Sequence, residues 1–292
     1  MEPKQRKIQG ADGLSLNLVE WSQKGVPMLL LHGYSNEAHI WDDFIPTVSS
    51  HYRVLALDLR GHGDSDWHPQ AAYAYENHVE DIEAIVASLG IERLVVIGHS
   101  LGGRIAMLYG GQHPEKLAGL VIVDSAPELD HRGTVRISME AAQNSDPSFG
   151  SVAEYEQMLV HLYPAATSAS IRRMALHGSK LRKEDGRWIL KMDTAFRQAV
   201  GGGSEAADPE EIEKLHADAK ESMWEALKKI PCPTLIVRGA ASDILSAEVA
   251  DRMADEVLAQ GELAVVAQAG HSVMTDNPDA FNAAVTKFVL GE

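Results

Sequence analysis

Apolar positions follow two rhythms along this chain. The first is a set of short, wholly apolar runs: Pro27–Leu31, Val54–Leu57, Val95–Ile97, Leu120–Val123, Thr234–Val237 and Leu263–Val266. Runs of that length without polar alternation predict strands buried on both faces. The second is helical spacing between them: Trp41, Phe44, Ile45 and Val48; then Val79, Ile82, Ile85 and Val86 in a stretch that Gly90 stops; and further helices over 248–258 and 280–289. Buried strands alternating with helices predict a parallel sheet with helices on both faces. Leu14, Leu16 and Leu18 alternate with polar residues, so Leu14–Trp21 is expected to be an antiparallel edge strand.

The alternation stops after Pro127 and resumes at Thr234. Between them only helical patterns stand out: Val152, Tyr155, Leu159 and Leu162 on one face, and Ile212, Leu215, Ala219, Met223, Ala226 and Leu227 on another. Gly201–Gly203 reads as a flexible break, and Asp208–Glu213 as an acidic first turn favoured by the helix dipole. The predicted organisation is a core from 1–127 and 231–292 with a helical insertion, 128–230, over the sheet.

Composition narrows the function. A net charge of −16 argues against nucleic acid and anionic membrane surfaces, both of which reward basic patches. No apolar run approaches the ~20 residues that span a bilayer, and the start of the chain has no apolar segment of a signal peptide. The single cysteine, Cys232, sits between two prolines before a strand and reads as a small buried residue. With no disulfide to form, the expected compartment is the cytoplasm.

The candidate chemistry lies at strand ends. Gly98-His99-Ser100-Leu101-Gly102 ends one apolar run and opens a helix, the context of a nucleophile elbow. Side chains two residues either side of Ser100 would collide across so sharp a turn, which accounts for both glycines. A nucleophilic serine needs a base, an acid to orient it, and donors for an oxyanion. Among 13 histidines, His271 directly follows the last strand. Asp243 follows the preceding strand and is the preferred acid; Ser100, Asp243 and His271 stand in the chain order of this class. Asp124, which also ends a strand, is the alternative. The oxyanion donors are the N–H groups of Leu101 and Tyr34. No metal-ligand cluster or phosphate loop is visible, so neither metal nor cofactor is expected.

Together, His32-Gly33-Tyr34, Asp58 to Ser65, Gly98 to Gly103, Ser242-Asp243 and Gly270-His271 resemble the alpha/beta-hydrolase superfamily, in its serine-hydrolase, carboxylesterase-like branch with a helical cap. The resemblance implies a mostly parallel eight-stranded sheet, Ser100 as nucleophile, His271 as base and Asp243 as its partner. It also implies that Asp58 and Arg60 hold a structural loop. Relatives that use aspartate at the elbow are set aside by Ser100. Carbon–carbon bond hydrolases tend to carry Asn and Trp where His99 and Ser272 stand here. The expected activity is hydrolysis of carboxylic esters, lactones included, with small to medium apolar acyl groups. The rivals are a C–C hydrolase with the same triad and a slow-turnover ligand-binding receptor. Met139, Met158, Met174, Met192 and Met223, with Trp188 and Trp224, are candidates for an apolar lining, with His32, Trp188 and Met192 named for the pocket. The expected partner is a small-molecule ester, with a homodimer left open and neither nucleic acid nor membrane.

Overall fold

The structure is a computed structural model that describes residues 3–144, 146–201 and 209–291. Eleven strands are present: β1 (Lys4–Gln9), β2 (Ser15–Glu20), β3 (Val26–Leu31), β4 (Tyr52–Leu57), β5 (Leu94–His99), β6 (Leu117–Val123), β7 (Ser148–Phe149), β8 (Ser179–Arg182), β9 (Arg187–Leu190), β10 (Thr234–Gly239) and β11 (Gly261–Val266). The helices are α1 (Ile45–Val48), α2 (Tyr75–Ser88), α3 (Leu101–Gln112), α4 (His131–Gln143), α5 (Val152–Leu162), α6 (Ser168–His177), α7 (Thr194–Val200), α8 (Pro209–Lys228), α9 (Ala247–Asp251), α10 (Val273–Asp276) and α11 (Pro278–Leu290). None of the described helices is long and apolar enough to cross a membrane.

Eight strands form one sheet in the order β1-β2-β4-β3-β5-β6-β10-β11. From β4 to β11 every pairing is parallel, while β2 pairs antiparallel with both β1 and β4. The expected edge strand is therefore one place in from the edge. Charged β1, with Ile8 as its one buried residue, covers it. Alternate residues of each central strand enter opposite cores. Leu29, Leu31, Val96 and Ile122 pack with α2, α3 and α8; Met28, Leu30, Ile97 and Val121 pack with Trp41, Phe44 and α11. Each such fully buried side chain contributes ~1.5–3 kcal/mol relative to exposure.

The insertion is not purely helical. β7, β9 and β8 make a separate three-stranded antiparallel sheet, correcting the reading of 128–230 as helices alone. The β8–β9 hairpin turns through Gly186, at φ +70°, where an Asp-Gly pair suits a tight turn. β8, Ser-Lys-Leu-Arg, is short and polar, and β9, Arg-Trp-Ile-Leu, does not alternate, which masked them. α8, which closes the insertion, also packs on the core. Met223, Ala226 and Leu227 of α8 are buried in the same core as α3. A Cβ on Gly111 of α3 would lie 2.5 Å from Ala226, so the two helices touch almost backbone to backbone. Gly202, Gly203 and Asp208 lie outside the described residues.

Register puts the chemistry on one rim. Leu31 aligns with Gly98, His99 with Val123, Val123 with Val237, and Gly239 with Val266. The residues that follow these ends therefore emerge side by side, where open parallel sheets place ligands.

Candidate active site

Ser100 stands between β5 and α3 at φ 51°, ψ −114°, a left-handed conformation that costs a non-glycine residue ~1–3 kcal/mol. The turn is as tight as its glycines suggest. A Cβ on Gly98 would lie 2.3 Å from the Gly102 carbonyl oxygen, and one on Gly102 would lie 2.3 Å from that of Leu31. Ser125 Oγ, in the loop after β6, donates to the Ser100 carbonyl at 2.7 Å and braces the strained residue.

The hydroxyl of Ser100 lies 3.0 Å from His271 Nε2. Nδ1 of the same ring donates to Asp124 Oδ2 at 2.8 Å. Asp124 is fully buried and directly follows β6. Two further donors fix its carboxylate, Gly239 N–H on Oδ1 at 3.1 Å and Ser242 Oγ on Oδ2 at 2.6 Å. Ser242 in turn accepts from the N–H groups of Ile244 and Leu245 at 3.1 and 3.0 Å, which locks its hydroxyl toward Asp124.

Asp243 does not meet His271 in a hydrogen bond, and the preference for it over Asp124 is corrected. Its carboxylate is taken by Arg136 of α4 in a two-pronged pair of 2.7 and 2.9 Å. The guanidinium holds the Asp243 carboxyl below the usual range. The reason is local. Ser242, not Asp243, turns inward from the loop after β10, and the next residue is left facing the insertion. Asp243 thus clamps α4 to the core, assisted by its own carbonyl, which accepts from Gly133 N–H at 3.0 Å.

The N–H groups of Tyr34 and Leu101 have no hydrogen-bond partner among the described residues, whereas Gly102 N–H is already spent on the His32 carbonyl at 3.1 Å. His32 itself is fully buried and does not line the cavity over Ser100. Its Nδ1 donates to the Gly33 carbonyl at 2.8 Å and its Nε2 accepts from Leu59 N–H at 3.0 Å. Burial lowers its pKa to about 4, so it is a neutral structural ring rather than a pocket residue. His99, read from the sequence only as standing where carbon–carbon bond hydrolases carry Asn, has a structural part. It is buried and neutral, and its Nε2 donates to the His271 carbonyl at 2.9 Å, tying the elbow to the loop after β11.

Asp58 and Arg60, two residues apart in one loop, tie it to neighbouring segments. Asp58 accepts from Ala38 N–H, Asn17 Nδ2 and Asp64 N–H at 2.7–2.9 Å, and Arg60 pairs with Asp81 at 2.6 and 2.8 Å.

A cavity of about 310 Å³ opens over Ser100 and His271. Its walls come from Tyr34–Asn36 of the core, from Arg136, Ile137, Glu140 and Ala141 of α4, from the turn after α5, and from Arg197 of α7. None of the seven methionines and tryptophans expected to line it does so. Trp188 and Met174 pack inside the insertion, Met223 and Trp224 under α8, and Met192 is buried beside Arg197. An amphipathic stripe does not distinguish a core face from a cavity face. Away from the cavity, His39, Asp42 and His177 bring three ligand atoms within 4.8 Å of one another. The two rings stack at 3.7 Å and 22°, so their lone pairs run side by side instead of converging on one ion.

The fold and this rim define the class: the chain has the alpha/beta-hydrolase fold. Residues 26–147 match the family model described as alpha/beta hydrolase fold. A solved alpha/beta hydrolase from Novosphingobium aromaticivorans is 28% identical and superposes with a TM-score of 0.82, covering 99% of this chain and 98% of that one. An esterase of Mycobacterium tuberculosis, Rv0045c, is 24% identical over 95% of this chain and 86% of its own length. A 2-(acetamidomethylene)succinate hydrolase from Mesorhizobium japonicum is 24% identical over 94% and 92%.

Proposed function

We propose that this hydrolase cleaves carboxylic esters through an acyl-enzyme on Ser100. The observation that carries the reading is the unbroken chain Ser100 Oγ–His271–Asp124, at 3.0 and 2.8 Å, beside two free backbone N–H groups. The relative named as an esterase supports the bond type. His271 accepts the Ser100 proton as Oγ attacks the carbonyl carbon. Asp124 holds the ring with Nδ1–H toward itself, so Nε2 is free to act as base and the imidazolium is stabilised. The N–H groups of Tyr34 and Leu101 donate to the oxyanion, each such donor being worth ~2.7–4 kcal/mol in other serine hydrolases. His271 then protonates the leaving alcohol, and water repeats the cycle on the acyl-enzyme, releasing the acid and restoring Ser100.

The strained backbone of Ser100 is part of this reading, since it lifts Oγ above the sheet at the N-terminal end of α3, where negative charge is favoured. The insertion between β6 and α8 acts as the cap, and α4 and α7 supply its substrate-facing residues. The test uses a fluorophosphonate and a simple aryl ester. Modification confined to Ser100, and loss of about 10⁶ in kcat for Ser100→Ala, are expected from the behaviour of serine triads. A loss under tenfold, or labelling elsewhere, overturns the assignment.

A further inference from the structure

Arg197 is a buried cation in the wall of the reaction cavity, with 5% of its surface exposed. Its Nη1 donates to the Asn144 carbonyl at 3.1 Å. Nη2 reaches only Ser35 Oγ at 3.4 Å and the Met192 sulfur at 3.8 Å, both long and weak. Among the described residues no carboxylate oxygen comes within 4.0 Å of it. Burying an ionised group without a counter-charge is costly, and a guanidinium cannot escape by losing its proton.

Elsewhere the chain meets that cost. Arg60 is matched by Asp81, Arg173 by Asp43, and Arg136 by Asp243 and Glu140. Arg104, also buried, lies against the Tyr75 ring at 5.1 Å and lines no part of this cavity. Glu140, the nearest acidic wall residue of α4, is engaged by Arg136 at 3.3 Å, and Asp276 accepts from Gly270 N–H at 2.8 Å. Among the described residues, the cation facing the cavity without an anion is Arg197.

Its position relates it to the reaction. Ser35, its Nη2 neighbour, is one residue past the oxyanion donor Tyr34 and is itself held at φ +63°. Phe196, one residue before Arg197, packs edge-on against the Tyr34 ring at 5.8 Å. The guanidinium, carried on α7, thus lies against the loop that carries the oxyanion N–H. We propose that Arg197 is an anion subsite, and that the substrate is an ester that also carries a free carboxylate. A planar fork of N–H donors matches a carboxylate's two oxygens, and a dry cavity strengthens the pair. This deepens the esterase reading and rests on it for the reaction, although the anion subsite can be read by binding alone.

The test compares monoethyl esters of succinic, glutaric and adipic acids with ethyl butanoate, pentanoate and hexanoate, followed by pH-stat titration. The wild type should prefer the best half-ester over its neutral counterpart by more than about 30-fold in kcat/KM. In Arg197→Met that ratio should fall about 100-fold, and Arg197→Lys should recover part of it. Equal use of both series by the wild type, or a loss in Arg197→Met that leaves the ratio unchanged, overturns the proposal in favour of a structural arginine. A second arm measures glutarate binding by calorimetry to Ser100→Ala protein with and without Arg197→Met. Glutarate binding that weakens more than about tenfold without the guanidinium supports the subsite even if no ester is turned over, and no difference overturns it. Failure of the esterase reading shows separately, as no turnover of either series and no labelling of Ser100.

Discussion

The loops after β6 and after β10 make an instructive pair. Their strands are neighbours in the sheet, both run toward the same rim, and each delivers an aspartate within four residues of its end. One, Asp124, is wholly buried and receives three donors, His271 among them. The other, Asp243, is half-buried and spends its charge on Arg136 of the insertion. Both aspartates fit the chain order Ser-Asp-His, and geometry selects Asp124. What separates them is the residue before Asp243: Ser242 turns inward, fills the place an acid could have taken, and bonds Asp124 instead. The later loop still serves the triad, by a hydroxyl rather than a carboxylate.

The contrast can be broken by substitution. Asp124→Asn should lower kcat about 10⁴-fold, as the equivalent change does in trypsin, because the amide holds the imidazole in the wrong tautomer. Next in size is Ser242→Ala, which removes one hydrogen bond to a buried charge, worth ~1.5–3 kcal/mol, so kcat should fall about 10–100-fold. Asp243→Asn removes a partly exposed ion pair worth about 1 kcal/mol, so kcat should drop less than about tenfold, with a small fall in melting temperature. If Asp243→Asn were the inactive variant, the two loops would have been assigned the wrong way round.

A slower effect separates the rim from its supports. Burial depresses His32 to about 4 and His62 to about 3, and also lowers His78, His99 and His177. Between pH 6.5 and 4 the unfolded chain takes up protons that these rings refuse, so stability falls with pH, by up to about 3 kcal/mol for His32 alone. Glu37, pushed up to about 8 by burial, runs the other way, because its native form keeps a proton that the unfolded chain has lost. Asp81 and Asp276, raised by burial, and His39, raised by Asp42, side with Glu37; the five lowered rings outweigh them, which predicts a melting temperature lower at pH 5 than at pH 7, measured by calorimetry.

Much of this was legible in the residues. Runs such as Val95–Ile97 and Leu120–Val123 can only be strands buried on both faces, and glycine spacing around Ser100 describes the elbow down to its contacts. His271 was readable because it follows a strand with one helix still to come. β1 was not, since its partner β2 rather than its own pattern makes it a strand. The hairpin of β8 and β9 left an Asp-Gly signal, yet its outward residues are charged and its sheet is small. The acid was misread because strand order says which loops meet, not which side chain of a loop turns inward. The pocket was misread because Met192 and Trp188 are as apolar as a lining residue would be, and only packing shows them to be fillers. Arg197 left no signal at all, since a lone arginine on a helix looks the same paired or unpaired.

The most direct measurement follows the proton between His271 and its acid by NMR. A far-downfield imidazole Nδ1–H resonance is expected in the wild type and in Asp243→Asn, and should be missing in Asp124→Asn. Its persistence in Asp124→Asn together with its loss in Asp243→Asn would contradict the role given to Asp124.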